Sequence, residues 1–214
     1  MSCTICEKRL PKRFCPAKGE KICAVCCGRE REITIDCPAD CTHLLAGRRY
    51  EAEHREPVKP EEYPYADLRF SVDLVYERWP LVSSLGLLIV TFASQHKELN
   101  DADIYSVLDH LAETYRALGT GIYYERVPEI PLRQALYREL ARYLTDSRQG
   151  GNGMQGGAVS TDADIFKLLV FLLRMNKMET SGRPRSRSFL GFLRLRFPLP
   201  ANKTAPTSSR IIIP

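Results

Sequence analysis

The 214 residues leave room for one ordinary domain with a small module attached, or for two small domains. The formal charge of +5 is uneven: residues 1–60 carry 12 basic and 9 acidic side chains (net +3), residues 61–177 carry 12 and 16 (net −4), and residues 178–214 carry 7 and 1 (net +6). The longest apolar run, Trp79 to Ala93, is short for a membrane span and is interrupted by Pro80, Ser83, Ser84 and Gly86.

The N-terminus has no charged stretch followed by a long apolar one, so no secretory signal is expected and the chain reads as soluble and cytoplasmic. In such a reducing compartment closely spaced cysteines bind metal more often than they pair. All eight cysteines fall in one string, Cys3-x2-Cys6-x8-Cys15-x7-Cys23-x2-Cys26-Cys27-x9-Cys37-x3-Cys41-x-His43. Each C-x2-C pair lets both thiolates of a tight turn point at one tetrahedral ion. Cys37-x3-Cys41 suits a different geometry. Pro38 reads as the first residue of a helix running to Glu53, with Cys41 in the first turn, where the helix dipole and free N–H groups favour a thiolate.

Eight ligands make two closed four-thiolate sites. The expected division is interleaved, with Cys3, Cys6, Cys23 and Cys26 on one zinc ion and Cys15, Cys27, Cys37 and Cys41 on the other; His43 is the alternate ligand to Cys27. The candidate core of this segment is small, mainly Ile5, Leu10, Phe14, Ile22, Val25, Ile33 and Ile35. Structural zinc, which contributes on the order of 10 kcal/mol to folding, would supply what such a core cannot. No coordination position is left for water, so the metal is expected to be a scaffold rather than a reagent. A redox centre at Cys23-x2-Cys26-Cys27 lacks the βαβ context that would support it.

Lys8, Arg9, Lys12, Arg13, Lys18, Lys21, Arg29 and Arg31, with Phe14 as a stacking ring, suggest nucleic-acid contact. Metallation tempers this, because eight thiolates and two divalent ions together bring −4 and take residues 1–60 from +3 to about −1. Many of these cations therefore offset the thiolates.

Beyond the helix, Glu56 to Pro64 has the prolines and charges of an extended linker. The pattern then turns helical. Helices are expected over Phe70–Tyr76 and Leu81–Phe92, although Ile89-Val90-Thr91 also suits a strand. Asn100 caps a helix carrying Ile104, Leu108, Leu111, Tyr115 and Leu118 that ends at Gly119-Thr120-Gly121. Pro131 opens a helix marked by Leu132, Leu136, Leu140, Tyr143 and Leu144, and Thr161 caps one that is apolar on nearly every side and hence central. The glycines of 150–157 lack a Gly-Lys-Ser/Thr ending and read as a flexible connection, not a phosphate loop. His110 and Glu113 share a helix face without forming a catalytic constellation, and no enzyme activity is expected.

Near the C-terminus, Arg183, Arg185, Arg187, Arg194 and Arg196 bracket a hydrophobic run. Arginine forks suit phosphates or carboxylates, which makes nucleic acid, an acidic protein patch or an anionic membrane the candidate partners. The structural alternative is that Phe189, Leu190, Leu193 and Phe197 lock a last helix onto the bundle while the arginines pair with the acidic middle section.

Turn-borne ligands combined with ligands opening a helix resemble treble-clef zinc folds, and the crossed ligand pairs resemble the cross-brace zinc modules of the RING, MYND and HIT-finger kind. The likeness covers residues 3–43 and implies a docking surface. Arg13-Phe14-Cys15-Pro16-Ala17, Ile22-Cys23-Ala24-Val25-Cys26-Cys27-Gly28, Ile35-Asp36-Cys37-Pro38-Ala39-Asp40-Cys41 and Gly182-Arg183-Pro184-Arg185-Ser186-Arg187 together resemble an uncharacterised bacterial zinc-module protein family. That likeness implies that module and bundle belong together. The expected architecture is mainly α: a zinc module at 1–56, a Pro-rich linker at 57–64, a helical bundle at 65–198 and a disordered tail at 199–214. The expected function is a non-enzymatic, two-zinc, protein-binding adaptor. The alternatives are a nucleic-acid-associated protein using segments 8–31 and 183–196, and a thiol redox-responsive zinc switch.

Overall fold

The computed structural model describes residues 2–69, 71–121, 124–148 and 160–199. Within them the chain is mainly helical, with a single two-stranded sheet. Strands β1 (Arg13–Cys15) and β2 (Glu20–Ile22) form an antiparallel hairpin in which Arg13 faces Ile22 and Cys15 faces Glu20. Gly19 turns this hairpin in the left-handed region, at φ 67. Helices α1 (Ala24–Glu30) and α2 (Thr42–Glu53) follow, then α3 (Val72–Glu77), α4 (Trp79–Gln95), α5 (Asp101–Leu118), α6 (Pro131–Arg148), α7 (Asp162–Glu179) and α8 (Ser188–Arg196).

Local sequence explains the bundle helices. Asn100 begins α5 with a capping box: its Oδ1 accepts from Ala102 N (2.9 Å) and Asp103 N (3.1 Å), while Asp103 Oδ2 accepts from Asn100 N (3.2 Å). Thr161 and Asp164 do the same for α7. The Ile89-Val90-Thr91 stretch lies in helix α4, because Leu81, Val82, Leu85, Ile89, Phe92 and Ala93 fall at helical spacing and are all buried together. Helices α5 and α7 form the central pair, flanked by α4, α6 and α8. Their core includes Ile104, Leu108, Leu111, Leu140, Ile165 and Leu169. Tyr137 is buried in it too, its hydroxyl 3.2 Å from Thr114 Oγ1.

Several expectations need correction. The helix expected to open at Pro38 begins at Thr42 instead; Pro38 stands in a turn whose carbonyl accepts from Cys41 N at 3.0 Å, and Cys41 becomes the N-cap. The hairpin and α1 had no periodic signal to announce them. Of the apolar side chains expected to form the module's core, only Ile22 and Ile35 are fully buried and Ile5 is partly buried; Leu10, Phe14, Val25 and Ile33 are exposed. The buried cluster there is Ile22 and Ile35 among Cys3, Cys15, Cys23 and Cys26. Among the described residues no helix is long and apolar enough to cross a membrane. The 150–157 connection and nearly all of the 199–214 tail lie outside the described residues.

Candidate metal centre

Two turns build the first ligand group. In the N-terminal turn, Cys3 N donates to Arg9 O (2.9 Å) and Glu7 N to Cys3 O (2.7 Å), with Glu7 in the left-handed region at φ 53, so Cys3 and Cys6 are held on one side. The hairpin then returns the chain, and Cys23 caps α1 with its sulfur accepting from Cys26 N at 3.3 Å. Cys23 N donates in turn to Cys3 Sγ at 3.2 Å, tying the two turns together.

The outcome is four sulfurs, from Cys3, Cys6, Cys23 and Cys26, all within 4.8 Å of one another. Cys6 and Cys23 stand 4.0 Å apart. A tetrahedral zinc with Zn–S of about 2.3 Å requires sulfurs about 3.8 Å apart, a spacing close to that of Cys6 and Cys23, so the donor set suits such an ion. None of the eight cysteines forms a disulfide.

The protein differentiates these thiols. Burial alone would raise the Cys3 pKa, but backbone N–H groups of Cys23, Cys6 and Ile5 outweigh it and lower the value to about 6. Cys6 is lowered by the N–H groups of Lys8 and Arg9. Cys26, by contrast, is pushed up to about 12 by burial and by the neighbouring sulfurs. Backbone donors thus favour the thiolate form at Cys3 and Cys6, while burial and the neighbouring sulfurs disfavour it at Cys26.

The other four cysteines gather around a separate small cavity of about 10 Å³, lined by Cys15, Cys27, Cys37, Cys41 and His43 together with Ile22, Ile35 and Leu44. Burial raises the Cys37 pKa, as do the adjacent Cys41 and Cys15 thiols. This second group is looser than the first. Adjacent in sequence, Cys26 and Cys27 face different places: Cys26 joins the tight cluster and Cys27 lines the second cavity.

Of the arginines expected to contact anions, two turn inward. Arg183 donates to the carbonyls of Gly28 (3.3 Å) and Arg31 (2.9 Å) and pairs with Glu51 at 3.2 Å. Arg187 pairs with Asp36 at 2.5 Å and donates to Leu99 O at 3.0 Å. The segment therefore pairs with acidic groups of residues 32–51, not with the acidic face of the bundle. The guanidinium groups of Arg185, Arg194 and Arg196 have no hydrogen-bond or ion-pair partner among the described residues.

Glu32 is the residue that sequence reasoning passed over. It is 2% exposed, with backbone in the left-handed region at φ 56. Its carboxylate accepts from Arg48 Nη2 (2.5 Å), Arg187 N (3.3 Å) and Ser181 Oγ (3.4 Å), and its carbonyl accepts from Arg185 N (2.9 Å). A buried carboxylate held this way joins the cysteine-rich segment to the arginine segment and fixes α2 beside α8. His110 and Glu113 serve structure as well, His110 Nδ1 lying 2.7 Å from Ser106 O and Glu113 pairing with Arg126 at 2.9 Å.

No family model matches the chain, and no curated protein or solved structure matches it either.

Proposed function

We propose that this chain is a non-enzymatic zinc-binding protein whose N-terminal segment holds two structural zinc ions and which serves as a protein–protein interaction adaptor. The single observation that carries the zinc reading is the largely buried group of four sulfurs, Cys3, Cys6, Cys23 and Cys26, within 4.8 Å of one another. Four thiolates close a tetrahedral ion completely, which suits a scaffold and leaves no position for a substrate or an activated water. Ligands borne on a turn and on the start of α1 have the layout of a treble-clef module. The small cavity ringed by Cys15, Cys27, Cys37 and Cys41, with His43 beside it, supports the second ion. The adaptor reading draws on the exposed apolar side chains and the arginines left without partners.

Elemental analysis of the full chain purified under reducing conditions tests this directly. Two zinc equivalents are expected, falling to about one in a Cys15→Ser chain. One equivalent in the unaltered chain would remove the second site, and none would end the zinc reading.

A second reading, contact with nucleic acid, draws on the hairpin, where Phe14 is exposed beside exposed Lys12, Lys18 and Lys21. Binding through these residues would weaken steeply with salt.

A further inference from the structure

Helices α2 and α8 do not touch along their whole length. Between them, and against the end of α7, runs a groove of about 630 Å³. Its charged lining is Arg48, Arg49, Arg55, Arg187 and Arg194 against Glu51 and Glu179; Arg48 and Arg187 pair with Glu32 and Asp36, which leaves Arg49, Arg55 and Arg194 without an ion pair among the described residues. Glu51 is already committed to Arg31 and Arg183, at 3.6 and 3.2 Å. Its apolar lining is exposed: Leu45 is 47%, Met178 42% and Leu195 86% open to solvent. Leu195 stands on the face of α8 opposite the buried Phe189, Leu190 and Leu193, so nothing among the described residues explains a leucine there.

Arg194 sharpens the point. It lines the groove half-buried, near Arg187 and Arg48, with no carboxylate of its own among the described residues. Burial first, and then these two neighbouring guanidinium groups, lower its pKa. Two further donors at this place, Arg48 Nε and Ser188 Oγ, are buried without a hydrogen-bond partner.

Resting on the adaptor reading above, we infer that the groove between α2 and α8 docks an acidic amphipathic helix of a partner protein, its carboxylates on Arg194 and Arg49 and its apolar face on Leu45 and Leu195. A guanidinium takes a carboxylate through two parallel hydrogen bonds, which gives the contact direction as well as charge. Paired helices flanking an apolar floor are a recurrent frame for such a ligand. One wall, α2, follows the cysteine-rich segment, and the other, α8, belongs to the bundle. The groove therefore exists only while Glu32 and Arg183 hold the two together.

A display library of random short peptides, selected on the immobilised full chain with its metal retained, tests the inference. Enriched peptides should combine several Asp or Glu with Leu, Ile or Phe at helical spacing. Their affinity should fall about tenfold or more in Arg194→Glu and in Leu195→Asp, recover in part in Arg194→Lys, and stay unchanged in Arg29→Glu, which lies outside the groove. Because Arg194 and Leu195 lie on the open side of α8, zinc content and thermal unfolding of the variants should match the parent chain. Enriched peptides indifferent to Arg194 and Leu195 would overturn the groove and leave the adaptor reading standing. No enrichment at all would overturn both. Binding of a labelled single-stranded RNA that is lost in Arg194→Glu, with no peptide enriched, would assign the groove to phosphate and overturn the inference equally.

Discussion

A Cys26→Ser chain should purify with one zinc equivalent fewer than the parent, and its N-terminal segment should lose its fold while the bundle keeps its helices. The expectation follows from how little else holds that segment. Among the described residues, Ile22, Ile35 and Leu44 are its fully buried non-cysteine apolar side chains, and the strands of its hairpin are three residues long. An isolated hairpin of this kind is marginal in water. Zinc bound to four thiolates contributes on the order of 10 kcal/mol to such modules, and one missing thiolate forfeits a large part of that. Hydrogen exchange reads the outcome: the amides of Glu7, Cys23 and Cys27, each bonded within this segment, should exchange freely in the variant and slowly in the parent. The same amides should be released in the parent by a strong chelator and protected again on return of zinc. Full zinc content with undiminished protection in Cys26→Ser would remove the four-sulfur site as a structural centre.

The bundle should notice this loss without following it. Its core draws on α3 to α8 and contains no residue of the cysteine-rich segment, so most of the helical signal should survive. Arg183, however, would lose the carbonyls of Gly28 and Arg31, and Arg187 would lose Asp36. A charge stripped of its partner at a half-buried position is unfavourable. The bundle of the variant is therefore expected to melt a few degrees lower, since about 1 kcal/mol shifts the midpoint of a domain this size by roughly 2–4 °C.

How much of this was legible beforehand depends on the range of the interactions. The helices of the bundle could be read because their causes are local: Asn100 and Thr161 cap, Pro131 opens, and apolar residues recur at 3.6-residue spacing. The coming together of Cys3, Cys6, Cys23 and Cys26 was legible for a related reason, since each C-x2-C pair delivers two sulfurs from one turn and needs only one partner of the same kind. The hairpin was not, because three-residue strands carry no measurable alternation. Nor was the direction of Arg183 and Arg187, whose partners Glu51 and Asp36 lie more than a hundred residues earlier in the chain. Arginine-rich segments look alike in sequence whether they face phosphate, solvent or a buried carboxylate; what decides is a geometry that only the assembled fold supplies. Glu32 shows the same limit. Nothing in Arg31-Glu32-Ile33 announces a carboxylate that will be sealed from water and shared by α2 and the arginine segment.

Asp101 carries the other large effect. By position it is the first residue of α5, where an acidic side chain ordinarily faces its own helix dipole. Instead its carboxylate crosses to α8, whose N-cap, Arg187, offers no side-chain bond. Oδ2 accepts from Ser188 N (2.9 Å), Phe189 N (3.1 Å) and Ser186 Oγ (2.6 Å), and Oδ1 accepts from Leu190 N (3.1 Å). Its backbone takes part too, donating to Ser186 O at 2.8 Å and accepting from Asn176 Nδ2 at 3.0 Å. One residue, 1% exposed, thus supplies α8 with the cap its own sequence lacks and joins α5, α7 and α8. Asp101→Ala would leave three backbone N–H groups and a hydroxyl facing an apolar void. Each such orphan costs about 1–3 kcal/mol before relaxation, and with relaxation the loss should come to about 3–5 kcal/mol in urea unfolding. Asp101→Asn keeps the shape and two acceptor lone pairs but gives up the charge and turns a donor toward donors, so a smaller loss of about 2 kcal/mol is expected. The ordering matters as much as the size. If the alanine variant were within about 0.5 kcal/mol of the parent, in the range of an ordinary surface substitution, Asp101 would not be the cap of α8. If the asparagine and alanine variants were equally destabilised, charge rather than occupancy of the cap would be what α8 requires, and the dipole of that helix would carry the effect.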